Sequence, residues 1–157
     1  MMGVIKVNHF WIPMPDGTRL GARLWMPDGK DSYPAILEYI PYRKDDYTVK
    51  RDSNTIAHFA KHGYACIRVD MRGSGSSDGI PYDEYTDQEI DDGVAVIDWI
   101  ASQSWCNGKV GTMGISWGGI TGLQLAQRSP DALKTIISLG STDQRYYDDG
   151  GYYMGWM

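Results

Sequence analysis

The hydrophobic positions of this 157-residue chain fall into short runs that alternate between two kinds of element. Residues 4–12 and 18–26 have strand character. Between them lies Pro15-Asp16-Gly17, a turn in which proline presets one φ and glycine supplies a positive one, so the pair is expected to form an antiparallel hairpin. Residues 33–40 are a compact apolar run closed by Pro41 and read as a buried strand. Ser53 or Asn54 stands where it would cap a helix over 55–62, with Gly63 as its stop, and 64–69 follows as another strand. The strongest helical pattern covers 86–102. Thr86-Asp87-Gln88-Glu89 fits a capping box, and Tyr85 and Ile90 occupy the positions of a hydrophobic staple. Ile90, Val94, Ile97 and Ala101 form one apolar stripe. Asp87, Glu89, Asp91 and Asp92 crowd its first turns, where the helix dipole favours negative charge. Asn107-Gly108 reads as a turn into a strand over 109–113, 117–127 as a helix stopped near Ser129-Pro130, and 133–139 as one further strand.

Two antiparallel strands followed by alternating strands and helices predict an α/β fold. Its sheet is expected to be mostly parallel, with the N-terminal hairpin as an antiparallel addition and helices on both faces. The length suits one domain. Residues 141–157 break the pattern: they have no period, and their aromatics have nothing obvious in the chain to pack on. The chain therefore divides into 1–140, an incomplete α/β domain, and 141–157, the start of something larger.

Composition narrows the partners. A formal net charge of -5 and the lack of a basic run argue against nucleic acid. The hydrophobic fraction of 42% and charged fraction of 22% are ordinary for a globular chain. The two cysteines suggest no disulfide framework; Cys66, inside Ala65-Cys66-Ile67, reads as a small core residue. The first ten residues carry no secretory pattern, and Met2 separates Gly3 from the position a myristoylation signal requires. No run approaches the roughly 20 apolar residues of a membrane span. The expectation is a cytoplasmic protein with no membrane partner.

The chemistry concentrates at Gly114-Ile115-Ser116-Trp117-Gly118, a Gly-x-Ser-x-Gly set between a strand and a helix. In that context the serine sits on a sharp, exposed corner, the nucleophile elbow, with glycines where neighbouring backbone crowds the turn. The alternative is a structural turn serine. Attack on a carbonyl makes an oxyanion that needs pre-aimed donors. The first is expected to be the backbone N–H of Trp117, one residue past the nucleophile and at a helix N-terminus. The second should come from the loop Ile40-Pro41-Tyr42-Arg43-Lys44, where Tyr42 either offers its phenolic O–H or merely packs, as one of 11 tyrosines. Residues 70–79 carry Gly73 and Gly75 but Asp78 at the third glycine position of a dinucleotide loop. They read instead as a hydrogen-bonded loop at the carboxyl end of a strand beside the site, with Asp70 and Arg72 as a structural pair. A serine nucleophile needs a histidine base and an orienting acid. The only histidines, His9, His58 and His62, all precede Ser116, whereas this fold class runs serine, acid, histidine. His58 and His62 share a helix face but lack a third ligand, so they read as surface residues and no metal or cofactor is expected. Asp143 is an in-principle acid. The base, and with it the acid, is expected to be missing from this chain.

Taken together, Pro15-Asp16-Gly17-Thr18, Pro41-Tyr42-Arg43-Lys44, Asp70-Met71-Arg72-Gly73-Ser74-Gly75, Trp99-Ile100, Trp105-Cys106-Asn107-Gly108-Lys109-Val110-Gly111 and Gly114-Ile115-Ser116-Trp117-Gly118 form a recognisable set. They resemble the N-terminal part of the cocaine esterase and X-Pro dipeptidyl-peptidase family (CocE/NonD hydrolases), which includes α-amino-acid ester hydrolases and glutaryl acylases. The resemblance implies an α/β-hydrolase fold, a helical cap beginning in 141–157, and a C-terminal jelly roll. It implies Ser116 as nucleophile and Tyr42 as side-chain oxyanion donor, with the acid and histidine beyond Met157. It also points to Asp148 and Asp149 as candidate ligands for a substrate ammonium group; the other reading is a solvated acidic turn. The expected activity is cleavage of an ester or amide, on a small-molecule or short-peptide acyl substrate, through an acyl-enzyme. Two other readings stand beside it: an inactive fragment serving as a binding or assembly module, and a lipase-like α/β-hydrolase esterase.

Overall fold

The computed structural model describes residues 3–29, 31–46 and 48–149. Strands β1 (Val4–Pro13), β2 (Arg19–Pro27), β3 (Tyr33–Ile40), β4 (Ala65–Asp70), β5 (Cys106–Ile115) and β6 (Leu133–Leu139) form one sheet in the order β1-β2-β4-β3-β5-β6. The β1–β2 and β2–β4 pairs are antiparallel, and the other three are parallel. The α/β expectation holds, with the hairpin appended at one edge. Its turn closes through Gly17, whose φ of 86° suits glycine, and through the Thr18 N–H donating to Asp16 Oδ1 at 2.9 Å.

Strand alternation sorts the core into two layers. Ala35, Leu37 and Tyr39 of β3 and Ala65, Ile67 and Val69 of β4 join one cluster. With them pack Ile90, Val96, Ile97 and Ile100 of α2 (Asp87–Ser102) and Leu125 of α3 (Trp117–Arg128). Trp25 and Cys66 join the other cluster with Ile56 and Ala60 of α1 (Val49–Lys61). Helices thus cover both faces. Cys66 is fully buried, and burial pushes its thiol up to about 12, in keeping with an inert core residue. Both cysteines are free thiols.

α2 starts as the pattern predicts: the Thr86 hydroxyl accepts from the Glu89 N–H at 3.3 Å. Two boundaries differ. α1 begins at Val49 with Thr48 before it, so Ser53 and Asn54 lie inside the helix rather than capping it. Its buried stripe is Asp52, Ile56 and Ala60, and a charged residue opens that stripe where an apolar one would be expected. Asp52 is buried against Arg68 of β4 at 3.4 Å, and Arg68 also faces Glu38 of β3 at 3.4 Å. The other difference is at β5, which begins at Cys106, not 109. Asn107-Gly108 bends within it: Gly108 has φ 80°, and the pairing with β3 slips between Tyr33 and Ala35.

From β3 the chain passes through α1 to β4 on one side, then returns across the sheet to β5 on the other. The adjacent carboxyl ends of β3 and β5 flank this reversal of order, the place where open α/β sheets bind ligands. Beyond β6, a four-residue helix α4 (Arg145–Asp148) carries exposed Tyr146 and Tyr147, packed edge to face at 4.7 Å. The remaining aromatics of the 141–157 segment, Tyr152, Tyr153 and Trp156, lie outside the described residues.

Candidate active site

The end of β5 turns at once into α3, and Ser116 is the corner. Its φ of 55° and ψ of -117° place a non-glycine residue in the left-handed half of backbone space, an unfavourable geometry that surrounding contacts must hold. Those contacts are backbone bonds. Ser116 N–H donates to Leu139 C=O at 2.8 Å, and the Ser116 carbonyl accepts from Gly119 N–H at 2.9 Å and Ile120 N–H at 3.1 Å. The corner is tight. A Cβ on Gly114 would run into the backbone of Gly118, and one on Gly118 into the side chain of Ile40. Ser116 itself is solvent-exposed.

Tyr42 follows β3 and reaches the same point. The Trp117 N–H lies 3.3 Å from the Tyr42 hydroxyl oxygen, to which it donates. A backbone N–H at a helix start and a phenolic hydroxyl therefore meet beside the serine, and both are groups of the kind that can donate to an oxyanion. The Tyr42 loop is pinned one turn further on. Lys44 N–H donates to Asp70 Oδ1 at 2.7 Å, and Arg23 Nη1 donates to Lys44 C=O at 2.8 Å. Asp70 Oδ2 also accepts from Ser76 N–H at 3.0 Å, so one carboxylate ties the loops after β3 and β4 together. Asp70 and Arg72 are not partners of each other. Arg72 instead pairs with Asp92 of α2 at 2.6 Å and with Asp16 of the first turn at 2.9 Å. The loop over 70–79 is hydrogen-bonded as expected, with Gly73 N–H donating to Asp78 C=O and Ser77 hydroxyl to Asp70 C=O.

Sequence reasoning missed the support behind Trp117. Glu89 Oε1 accepts from the Trp117 indole N–H at 2.9 Å and from the Thr121 hydroxyl at 2.9 Å, while Oε2 accepts from Tyr85 N–H at 3.1 Å. Burial raises the Glu89 carboxyl above its usual range, and these three donors work against that rise. Tyr85, with φ 57°, packs its ring at a tilt against that of Trp117, 4.9 Å between centroids, and is thus taken up by the residue after the elbow. Burial pushes its phenol up to about 12. The Arg145 guanidinium of α4 lies 4.2 Å over the Tyr85 ring. A capping box announces Glu89 as a helix-start residue, but nothing in it reports a partner 28 residues away.

The other candidates are placed as follows. Asp148 is exposed at the end of α4, and Asp149 lies 3.2 Å from Arg145 Nε. His9 is on β1, His58 is exposed on α1 and His62 is exposed just past its end, with His62 Nδ1 2.8 Å from His58 C=O. Among the described residues no group of three or more His, Cys, Asp or Glu could hold a metal ion, and no helix is long and apolar enough to cross a membrane. A cavity of about 620 Å³ opens beside the elbow, lined by Pro41, Ile80, Tyr82, Glu89 and Trp117 among others.

Residues 16–157 match the family described as X-Pro dipeptidyl-peptidase (S15 family). The cocaine esterase of Rhodococcus sp. is 35% identical over 92% of this chain and 26% of its own length. A CocE/NonD family hydrolase from Staphylococcus aureus superposes with a TM-score of 0.81 at 24% identity, over 92% of this chain and 29% of that one. An α-amino acid ester hydrolase gives 0.74 at 27% identity, over 92% of this chain and 26% of the other. The chain spans less than a third of each of these relatives.

Proposed function

The chain belongs to the X-Pro dipeptidyl-peptidase (S15) family of hydrolases, and we propose that within it Ser116 is the nucleophile of an acyl transfer, with Tyr42 O–H and Trp117 N–H receiving the oxyanion. The observation that carries this reading is the approach of the Trp117 N–H to within 3.3 Å of the Tyr42 hydroxyl beside a strained, exposed serine. As Ser116 Oγ attacks a carbonyl, the carbonyl oxygen becomes negative and displaces the Tyr42 oxygen as acceptor of the Trp117 N–H. The Tyr42 hydroxyl then donates its own proton to the same oxygen. The acyl group passes to Ser116, the alcohol or amine leaves, and water releases the acid.

The serine needs a base to take its proton, and the three histidines of this chain sit on β1, on α1 and just past the end of α1, without a hydrogen bond to it. We therefore assign residues 1–140 to the N-terminal part of an α/β-hydrolase domain and 141–157 to the start of a cap, with the acid and histidine supplied by further sequence. The short coverage of every relative above supports this. The substrate is a small ester or amide or a short peptide. Of the two candidate carboxylates we assign Asp148 to a substrate ammonium, because it is exposed while Arg145 already offsets the charge of Asp149.

The test is kinetic, in the full-length protein that carries this chain. Ser116→Ala should abolish ester turnover while leaving the fold intact, and Tyr42→Phe should lower kcat by about 10²–10³-fold with little change in KM. Turnover that survives Ser116→Ala would overturn the assignment.

A further inference from the structure

Glu89 is buried, 8% exposed, and its carboxylate accepts three hydrogen bonds from three separate places: the Trp117 indole, the Thr121 hydroxyl and the Tyr85 backbone. A buried carboxylate is costly, and an apolar residue would close this gap between α2 and α3 more cheaply. What the carboxylate adds is direction. Trp117 is the first residue of α3. Its backbone N–H has no partner within the helix, as for any helix start, and it points at Tyr42. The same residue is fixed at the far end of its side chain by Glu89, and its ring packs at a tilt against Tyr85. Thr121, one turn along the same helix, shares the Glu89 oxygen that holds the indole. The Tyr39 hydroxyl, near the end of β3, donates to the Glu89 carbonyl at 3.2 Å, which ties the start of α2 to the strand that delivers Tyr42.

We infer that Glu89 is a positioning residue for the oxyanion site: by holding the Trp117 indole and Thr121 it sets the start of α3, and with it the Trp117 N–H, against Tyr42 and the Ser116 corner. This rests on the reading of Ser116 as nucleophile. Glu89 does not touch the reacting atoms and transfers no proton; it acts through Trp117. Its loss lets the indole turn and the first turn of α3 relax. A misplacement of about 1 Å in such a site costs about 10²-fold in rate. The ground-state carbonyl makes weaker use of the donors than the oxyanion does, so the loss falls on kcat rather than KM.

The experiment uses the full-length protein with a p-nitrophenyl ester as substrate and phenylboronic acid as the transition-state analogue. Active-site concentration is counted by titration, so that unfolded protein does not enter the rates. Glu89→Leu should lower kcat by about 10–100-fold, leave KM within about twofold, and weaken phenylboronic acid binding by the same factor as kcat. Glu89→Gln keeps an acceptor for the indole and should recover most of the loss; it also serves if the leucine variant folds poorly. Trp117→Phe removes the indole donor and should lower kcat alongside, with the double variant no worse than the larger single effect. A merely structural Glu89 would lower the melting temperature and leave kcat per active site and phenylboronic acid affinity unchanged. Additive effects of the Glu89 and Trp117 substitutions would also overturn the inference. Ser116→Ala, run in parallel, separates the two failures: full turnover in that variant overturns the serine reading and this inference with it, whereas its loss alongside an indifferent Glu89 overturns only the inference.

Discussion

At the scale of single residues the site is a problem of space. Ser116 holds φ 55° because the strand–helix corner leaves its backbone no other course, and Gly114 and Gly118 are glycines because there is no room for a Cβ between the strand, the helix start and Ile40. Gly114→Ala should therefore destabilise the fold by about 1–3 kcal/mol, as overpacking does, and lower the melting temperature. A thermal scan with no shift would show that the corner has slack. The glycines and the serine were legible in the sequence because their spacing is local. Tyr42 was only half legible: the residues around it left donor and packing roles open, the family resemblance favoured the donor, and the structure sets its hydroxyl 3.3 Å from the Trp117 N–H. Glu89 as a support for Trp117 was not legible at all: the contact depends on how α2 packs on α3, which no local spacing encodes.

At the scale of elements, the pattern located strands β1 to β6 and helices α1 to α3, and it started α1 late, where the buried stripe opens on a charge. The first two turns of α1 present Asp52 to the sheet, where Arg68 and Glu38 meet it, and Arg51 bridges Glu38 and Asp52 at 2.5 and 2.7 Å. A polar stretch with that composition reads as a loop until its partners on β3 and β4 are known. The consequence is energetic. Asp52→Ala leaves the fully buried Arg68 with Glu38 as its remaining ion-pair partner among the described residues and should cost about 3 kcal/mol in urea denaturation. Adding Arg68→Met should recover part of that loss by removing the orphaned charge. Equal stability of Asp52→Ala and the parent protein would show that the ion cluster is dispensable.

At the scale of the whole molecule, the order β1-β2-β4-β3-β5-β6 brings the two loops that matter to one edge. The loop after β3 carries Tyr42 and the corner after β5 carries Ser116, and α2 braces both from behind through Glu89. The opening hairpin is fastened to this frame by Arg72, which joins Asp16 of the first turn to Asp92 of α2. Hydrogen bonding to Arg72 and to the Thr18 N–H lowers the Asp16 carboxyl to about 2, from 3.8. Between those two values the unfolded chain binds the proton more tightly than the folded one. Stability from this contact is therefore complete above about pH 4 and is lost as pH falls toward 2. Asp16→Asn should flatten that part of the stability-versus-pH curve, measured by denaturation at a series of pH values; an unchanged slope would contradict the fastening role. The alternation of strands and helices gave away the class of this architecture, while the antiparallel β2–β4 junction that joins hairpin to sheet had no counterpart in the pattern.

The central claim is that Ser116 is the acylated residue, and covalent labelling tests it most directly. The full-length protein is treated with a fluorophosphonate, digested, and the modified residue located by mass spectrometry. The adduct should lie on Ser116, and its formation should slow when phenylboronic acid occupies the site. An adduct on any other serine, with Ser116 unmodified, would contradict the account.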